Sequence, residues 1–183
     1  IAVDPTIVGS HIVIALQSIV SRNADPTDQI VVSVTSFETS STAFNVIPQT
    51  VVLKGTVRTL SDETRDLAEK RLEEIARKTG DVFGANVDPV YTRGYPVMTN
   101  SVDQTEFAAS VAKSVSGYCE EAPLVMGGED FSYMAIERPG AYILIGNGDS
   151  APVHNPNYNF NDEAISIGCS WWAEIIEKRM PVS

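Results

Sequence analysis

The stretch Leu124–Ile165, LVMGGEDFSYMAIERPGAYILIGNGDSAPVHNPNYNFNDEAI, decides the fold of the second half of the chain and holds much of its polar chemistry. Within it, Ala141–Ile145 is a continuous apolar run that ends at Gly146, a pattern typical of a strand buried on both faces. His154 follows the C-terminal end of that strand, which is where ligands gather in open α/β sheets. The segment Asn147–Asn161 is long for a loop without secondary structure, and such loops are more often functional or disordered than incidental. The pattern therefore predicts a functional site around His154.

Composition excludes some partners. The 183 residues carry a formal charge of -11 with an isoelectric point near 4.5, which argues against nucleic acid or an anionic membrane surface as partner. No apolar run approaches the roughly 20 residues of a membrane helix, and the start, IAVDP, lacks the basic and apolar parts of a signal peptide. Cys119 and Cys169 lie far apart, which favours free thiols in a reducing compartment. We expect a cytoplasmic protein.

The chain begins with a helix signal. Asp4 precedes a proline at the first helical position, and apolar residues then recur at helical spacing until Arg22–Asn23, where we expect the helix to end. His11 lies beside the main apolar stripe of this helix. We therefore interpret His11 as a flank or interface residue.

Alternation of apolar and polar residues predicts three strands in the first half of the chain, over Ile30–Phe37, Thr50–Thr59 and Val87–Tyr95. Between the last two, Ser61 caps a helix that ends at Gly80 or Gly84. The order of helix, strand, strand, helix, strand becomes the βαββαβ pattern of a ferredoxin-like fold if one more strand precedes Ile1.

The second half is predicted to hold a helix that includes Phe107, a short helix after the glycine-rich turn, the buried strand and a closing helix over Asp162–Arg179. Because Pro96–Val102 reads as a linker, we expect two domains, at residues 1–98 and 99–183. One strand is too little sheet to bury the closing helix. The fold class is therefore α/β with an α+β first domain, and the chain looks like the C-terminal part of something longer.

Four segments, in order, resemble the M20 metallopeptidase family: LQSIVSRNADP at Leu16–Pro26, NVIPQTVVLKGTVRTL at Asn45–Leu60, MGGEDF at Met126–Phe131 and HNPNYNFNDEA at His154–Ala164. The nearest branch is that of hippurate hydrolases and other N-acyl-amino-acid amidohydrolases. The resemblance implies that residues 1–98 are a ferredoxin-like lid that forms a homodimer. It also implies that residues 99–183 are the C-terminal part of a catalytic α/β domain that binds two divalent metal ions, either zinc, manganese or cobalt.

The sequence departs from the family pattern by omission. The segments that carry most metal ligands, and the glutamate that acts as general base, are expected upstream of Ile1, in a missing N-terminal part of the same protein. We therefore assign no catalytic residue here, assign metal binding to His154 alone by resemblance, and expect that the chain by itself hydrolyses nothing. The competing function is a non-enzymatic dimerisation or ligand-binding module.

The resemblance also implies a set of substrate-binding residues, namely Asn45, Arg58, Gly127, Gly128 and Glu129. A guanidinium such as that of Arg58 can hold a substrate carboxylate with two hydrogen bonds, and in the family an Asn and an Arg at these positions hold the substrate across the dimer. The alternatives are an Asn flanking a strand and a solvated Arg.

Gly127 and Gly128 would allow backbone to approach a ligand closely. Two other assigned residues, Glu129 and His154, have structural alternatives. Glu129 and Asp130 are equally explained as acidic residues at the start of a helix, with Asp130 as its N-cap. His154 could be a loop histidine whose nitrogens bond to backbone.

Overall fold

The computed structural model describes residues 2–181. The chain divides into two compact units. One unit comprises the described residues up to Val97 together with Met126–Gly128, and the other comprises Met98–Val125 together with the described residues from Glu129 onward.

The first unit contains α1 (Pro5–Ser18) with a π-helical turn (Ile19–Asn23), β1 (Ile30–Thr39), β2 (Val51–Thr59) and α2 (Asp62–Phe83). Local chemistry sets these boundaries. The Asp4 carboxylate accepts a hydrogen bond of 2.8 Å from the Thr6 amide at the start of α1, and the Ser61 hydroxyl accepts one from the amide of Thr64 at the start of α2. Gly84 ends α2 with a φ of 70°, a conformation that glycine adopts without strain. These caps confirm the helix ends predicted from the sequence.

The sheet of this unit is an antiparallel hairpin of β1 and β2, running from the pair Ile30–Thr59 to the pair Thr39–Val51, with a β-bulge between Val34 and Ser36. One face of the hairpin packs on α1 and α2. The core consists of buried side chains from α1, the π-helical turn, β1 and α2, against which Leu53 and Val57 of β2 pack partly buried: Val8, Ile12, Leu16, Ile19, Ile30, Val32, Ala68 and Ala76. The predicted helices and the first two strands are confirmed.

Within residues 2–181, Val87–Tyr95 does not form the hydrogen-bonded strand predicted from the sequence. Burial alternates residue by residue from Val87 to Thr92, as it does in a strand, and Val87 packs on the core. A strand, however, needs a hydrogen-bonded neighbour, and within residues 2–181 β1 and β2 pair only with each other. The segment instead passes so close to α2 that a Cβ on Gly80 would lie 2.4 Å from Val87 Cγ2.

The second unit contains α3 (Val102–Ser116), α4 (Phe131–Glu137) and α5 (Glu163–Arg179). Its core forms where α5 packs on α3, through the buried residues Ala108, Val111 and Trp171. The indole nitrogen of Trp171 donates to the Ala108 carbonyl at 3.2 Å, which satisfies the one polar atom of this side chain. All three helices were predicted from the sequence.

The buried strand predicted over Ala141–Ile145 is also wrong. Leu144 is 64% exposed and Ile145 47% exposed, and among the described residues no strand pairs with this segment. In place of a neighbouring strand, the Asn100 side chain donates to the Tyr142 carbonyl at 2.9 Å and accepts from the Tyr142 amide at 2.8 Å. The apolar run has the composition of a central strand, but the described part of this unit provides no sheet in which to bury it.

Candidate functional site

Arg58 and the glycine-rich segment come together within the first unit. Arg58 lies near the end of β2, is exposed, and donates through Nη1 to the Met126 carbonyl at 2.8 Å. A Cβ on Gly128 would lie 3.0 Å from the Tyr95 ring, so glycine allows the ring to approach the backbone there. Because a guanidinium has five N–H donors, Arg58 keeps donors for a further acceptor beside Gly127.

Asn45 lies at the other end of the same hairpin. It is exposed in the turn Ala43–Val46, which connects β1 to β2. Arg58 is seven residues along β2 from Val51, the residue nearest the turn, which is roughly 24 Å at about 3.4 Å per residue. One small molecule therefore cannot contact both Asn45 and Arg58 of the same protomer.

Glu129 is the acidic residue whose side chain hydrogen-bonds to Phe131, the first residue of α4. Its Oε1 accepts a 3.1 Å hydrogen bond from the Phe131 amide, and that bond, followed by one from the Tyr142 hydroxyl, lowers the pKa of Glu129 below its ordinary value. Asp130 occupies the N-cap position of α4, as predicted, but its side chain makes no capping hydrogen bond. Glu129 is therefore an ionised, oriented carboxylate at neutral pH.

Tyr142 and Asn100 are residues that the sequence did not single out. The hydrogen bond to Glu129, reinforced by partial burial, raises the pKa of Tyr142, so its hydroxyl stays protonated and keeps donating. Asn100 fixes the Tyr142 backbone, and the Phe131 ring lies 5.9 Å from the Tyr142 ring, centre to centre. No local pattern points to either residue, because Asn100 and Tyr142 are 42 positions apart.

His154 is exposed and lies in a turn in which the Asn155 amide donates to the Pro152 carbonyl at 3.1 Å. Its φ is +71°, and among the described residues it is the only one other than glycine with a positive φ. The third position of such a turn favours glycine or asparagine, so histidine is costly here. A residue kept in an unfavourable backbone conformation is a reason to look for function.

The described residues do not form a metal centre by themselves. Within residues 2–181, no group of three or more His, Cys, Asp or Glu side chains is close enough to hold one ion. A catalytic zinc site uses about three protein ligands, so His154 would need donors from outside the described residues. The other histidine, His11, instead packs on Phe83, with ring centres 4.7 Å apart.

No helix within the described range is long and apolar enough to cross a membrane.

Comparison with known proteins gives consistent results. The model of peptidase family M20/M25/M40 matches residues 4–178. Hippurate hydrolase of Campylobacter jejuni is 35% identical over 181 residues, which are 97% of this chain and 47% of that protein. An N-acetyldiaminopimelate deacetylase of Enterococcus faecalis is 32% identical over 90% of this chain and 44% of its own length.

Solved structures agree. A protein from methicillin resistant Staphylococcus aureus superposes with a TM-score of 0.79 at 33% identity, over 96% of this chain and 45% of that one. The Bacillus subtilis YXEP protein, a dinuclear metal binding peptidase from the M20 family, has a TM-score of 0.74 at 27% identity, over 94% of this chain and 45% of its own. The chain thus spans less than half the length of these relatives.

Proposed function

This chain belongs to peptidase family M20/M25/M40, and on that premise we propose that it forms part of a metal-dependent amidohydrolase that cleaves the amide bond of N-acyl amino acids or small peptides. Several relatives are named as hydrolases or deacetylases of such compounds. Since the chain covers less than half of those relatives, the activity is proposed for the whole protein encoded by its reading frame, and this chain alone is expected to hydrolyse nothing.

The observation that carries the proposal is the position of Arg58 beside the glycine-rich segment. An N-acyl amino acid always presents a carboxylate, and a guanidinium binds a carboxylate with two parallel hydrogen bonds. We assign Arg58 to that carboxylate. Backbone at Gly127 and Gly128 would line the same site. Glu129, in the second unit, stays a proposed substrate-binding residue on the strength of its ionised carboxylate.

His154 is proposed as the one metal ligand that this chain contributes. Neutral imidazole suits zinc, manganese or cobalt, and the remaining donors and the general base would come from outside the described residues. The bound metal would supply an activated water and polarise the scissile carbonyl in the whole protein. The only role of His154 would be to hold the metal. Metal binding would then offset the free-energy cost of its positive φ.

The homodimer is proposed on the geometry of the hairpin. If Asn45 and Arg58 hold the same substrate, they come from different protomers, because they lie at opposite ends of one hairpin. The proposed contact is formed by the edge of β1 that pairs with no strand within residues 2–181, and by the outer face of α1, where Ile7 and Ile14 are exposed. Light scattering on the whole protein tests this, and a monomer at micromolar concentration would contradict it.

The ferredoxin-like form of the lid, residues 1–98, is also part of the proposal. One further strand between β2 and Val87–Tyr95 would complete its sheet, which is supported by the alternating burial of Val87–Thr92 and by the second edge of β2, unpaired among the described residues. Amide exchange in the whole protein should then show protection at alternate residues of Val87–Tyr95. Uniformly fast exchange there would sink the idea.

The main experiment compares two substrates of the whole protein, an N-acyl amino acid and the corresponding amide that lacks the carboxylate. Arg58→Ala should lower kcat/KM for the acid by roughly 10- to 100-fold, the range expected for hydrogen bonds to a charged group, and change that for the amide little. Lys54→Ala is the matched control, since Lys54 lies four residues earlier on the same exposed face of β2. Equal losses for both substrates would remove Arg58 from the carboxylate site.

The metal assignment is tested with His154→Gly and His154→Asn, because both replacements tolerate a positive φ. Each should leave the thermal midpoint of this chain unchanged or higher, while the whole protein loses bound metal by elemental analysis and turnover falls by orders of magnitude. Full metal content in both variants would make His154 a structural loop residue. Absence of any hydrolysis of acyl amino acids by the wild-type protein with added metal would favour the non-enzymatic module.

A further inference from the structure

Two side chains near the start of the loop that carries His154, those of Asn147 and Ser150, bond to its far end, and Asn147 makes the shorter bonds. Asn147 lies at its start, where the side-chain nitrogen donates to the Asn159 carbonyl at 2.7 Å and the side-chain oxygen accepts from the Asn161 amide at 2.7 Å. These two bonds copy the way in which one strand pairs with another. They join the two ends of a segment that has no secondary structure between them.

Further bonds inside the loop lead from this closure towards His154. The Ser150 hydroxyl donates to the Asn159 carbonyl at 3.1 Å, and the Asn155 carbonyl accepts from the Tyr158 amide at 2.9 Å. Gly148 turns the chain directly after Asn147 with a φ of 76°. The turn that holds His154 thus lies inside the segment that the Asn147 and Ser150 side chains join to Asn159.

We propose that Asn147 is the positioning residue for His154, and that it acts by fixing the ends of this loop rather than by touching substrate or metal. The proposal rests on the proposed function, in which the His154 imidazole serves the reacting site. An exposed loop buries little apolar surface, so hydrogen bonds have to supply the order that packing provides elsewhere.

Only a side-chain amide of this length makes both bonds. Asparagine presents one donor and one acceptor from the same planar group, and these match the carbonyl and the amide that Asn159 and Asn161 offer. Aspartate keeps the acceptor for the Asn161 amide but sets a negatively charged oxygen against the Asn159 carbonyl. Alanine loses both bonds and leaves the backbone ends to water.

The test uses Asn147→Ala and Asn147→Asp, with Asn157→Ala as matched control. Asn157 lies in the same loop, and its side chain makes no hydrogen bond within residues 2–181, although its backbone amide donates to Asn155. The first readout is amide hydrogen exchange in this chain. Both Asn147 variants should exchange at least about tenfold faster at Asn161 and across residues 148–160, whereas the control should not. Thermal unfolding verifies that the variants are folded.

The second readout is steady-state kinetics and metal affinity of the whole protein. Residues that orient a metal ligand typically change activity or affinity by 10- to 100-fold, so kcat should fall by about that factor in both Asn147 variants while KM stays within about twofold. The control should stay within about twofold in both quantities. Asn147→Asp, which keeps one of the two bonds, should lose less than Asn147→Ala unless charge repulsion dominates.

Each result decides something. Faster exchange with lower kcat supports the proposal, whereas faster exchange with unchanged kinetics and metal affinity makes Asn147 a loop-closing residue only and overturns it. Unchanged exchange overturns it as well. If the wild-type protein hydrolyses no acyl amino acid, the proposed function fails and the role of His154 fails with it, while the exchange data still decide whether Asn147 holds the loop.

Discussion

The two units of this chain bury very different amounts of apolar surface. The first unit packs two helices on a hairpin around eight buried residues, including Ile19, which is fully buried. Among the described residues, the second unit buries only three apolar side chains, those of Ala108, Val111 and Trp171, and it leaves Trp172 60% exposed. Both units have amphipathic helices. The difference is that the first has a sheet to pack on and the second, within the described residues, has none.

The second unit also exposes apolar side chains along one face of its closing helix. Exposed apolar patches on soluble proteins are often places where another surface packs. On α5, Ile165, Cys169, Trp172 and Ile176 recur at helical spacing and are all exposed, on a different face from Trp171. This surface is consistent with our proposal that the chain works as part of a protein about twice as long.

The largest expected effect tests the small core of the second unit. Trp171→Ala removes its largest buried side chain and the bond to the Ala108 carbonyl, and should cost about 3–5 kcal/mol, enough to unfold the unit. Near-ultraviolet circular dichroism and urea unfolding measure the loss. Trp172→Ala is the comparison: this side chain is 60% exposed, and loss of its edge-to-face contact with the Trp171 ring should cost only about 0.5–1.5 kcal/mol in this chain. If Trp172→Ala proves as costly as Trp171→Ala, the second unit has a core other than the one described.

The next effect concerns the first unit. Ile19→Ala should cost about 2–5 kcal/mol, because a fully buried side chain leaves a cavity between α1 and the sheet. Urea unfolding followed at the helix signal measures it. Ile14, on the same helix but 70% exposed, is the control and should change stability by no more than about 0.5 kcal/mol. A larger loss at Ile14 that depends on protein concentration would place this residue in the proposed dimer interface.

The smallest effect compares two serines that precede helices. Ser61→Ala should destabilise the first unit by about 1 kcal/mol, since its hydroxyl caps α2. Ser101→Ala should cost less than half as much in the second unit, because the Ser101 hydroxyl caps nothing and accepts only a 3.3 Å bond from the Gly140 amide. Thermal unfolding of both variants measures the difference, and equal losses would contradict the assignment of Ser61 as a cap.

The sequence was sufficient for elements whose bonds are local. Helices with caps, such as that of Asp4, depend on residues close in the chain, and they were predicted correctly, as were the two neighbouring strands that pair as a hairpin. Ala141–Ile145 and Val87–Tyr95 were misjudged because a strand exists only with a partner, and composition does not show whether the partner is there. The family resemblance is confirmed, since it depends on residue identities rather than on pairing.

The site divides in the same way. His154 and Arg58 stand out from their chemical type and neighbouring residues, and their roles stay predictions. Asn147 and Tyr142 do not stand out, because each acts through a group that lies far along the sequence or beyond a long loop. Which of the adjacent carboxylates, Glu129 or Asp130, accepts a hydrogen bond at the start of α4 depends on their side-chain rotamers. The sequence does not reveal these rotamers.

The closure of the His154 loop also bears on how this protein ages. Asn147 is followed by Gly148, whose backbone nitrogen can attack the side-chain amide carbon of Asn147 because glycine has no side chain in the way. The attack releases ammonia and forms a succinimide. Water then opens the succinimide to aspartate or isoaspartate. While both hydrogen bonds of Asn147 hold, its amide is turned towards Asn159 and Asn161 and away from that attack. Each opening of the loop therefore exposes the Asn147 amide to this reaction. The aspartate or isoaspartate that results has no side-chain N–H, so it can no longer donate to the Asn159 carbonyl. We expect peptide mapping of stored protein to find this deamidation faster after heating or in mild denaturant than in the native state, and equal rates in both would contradict protection by the fold.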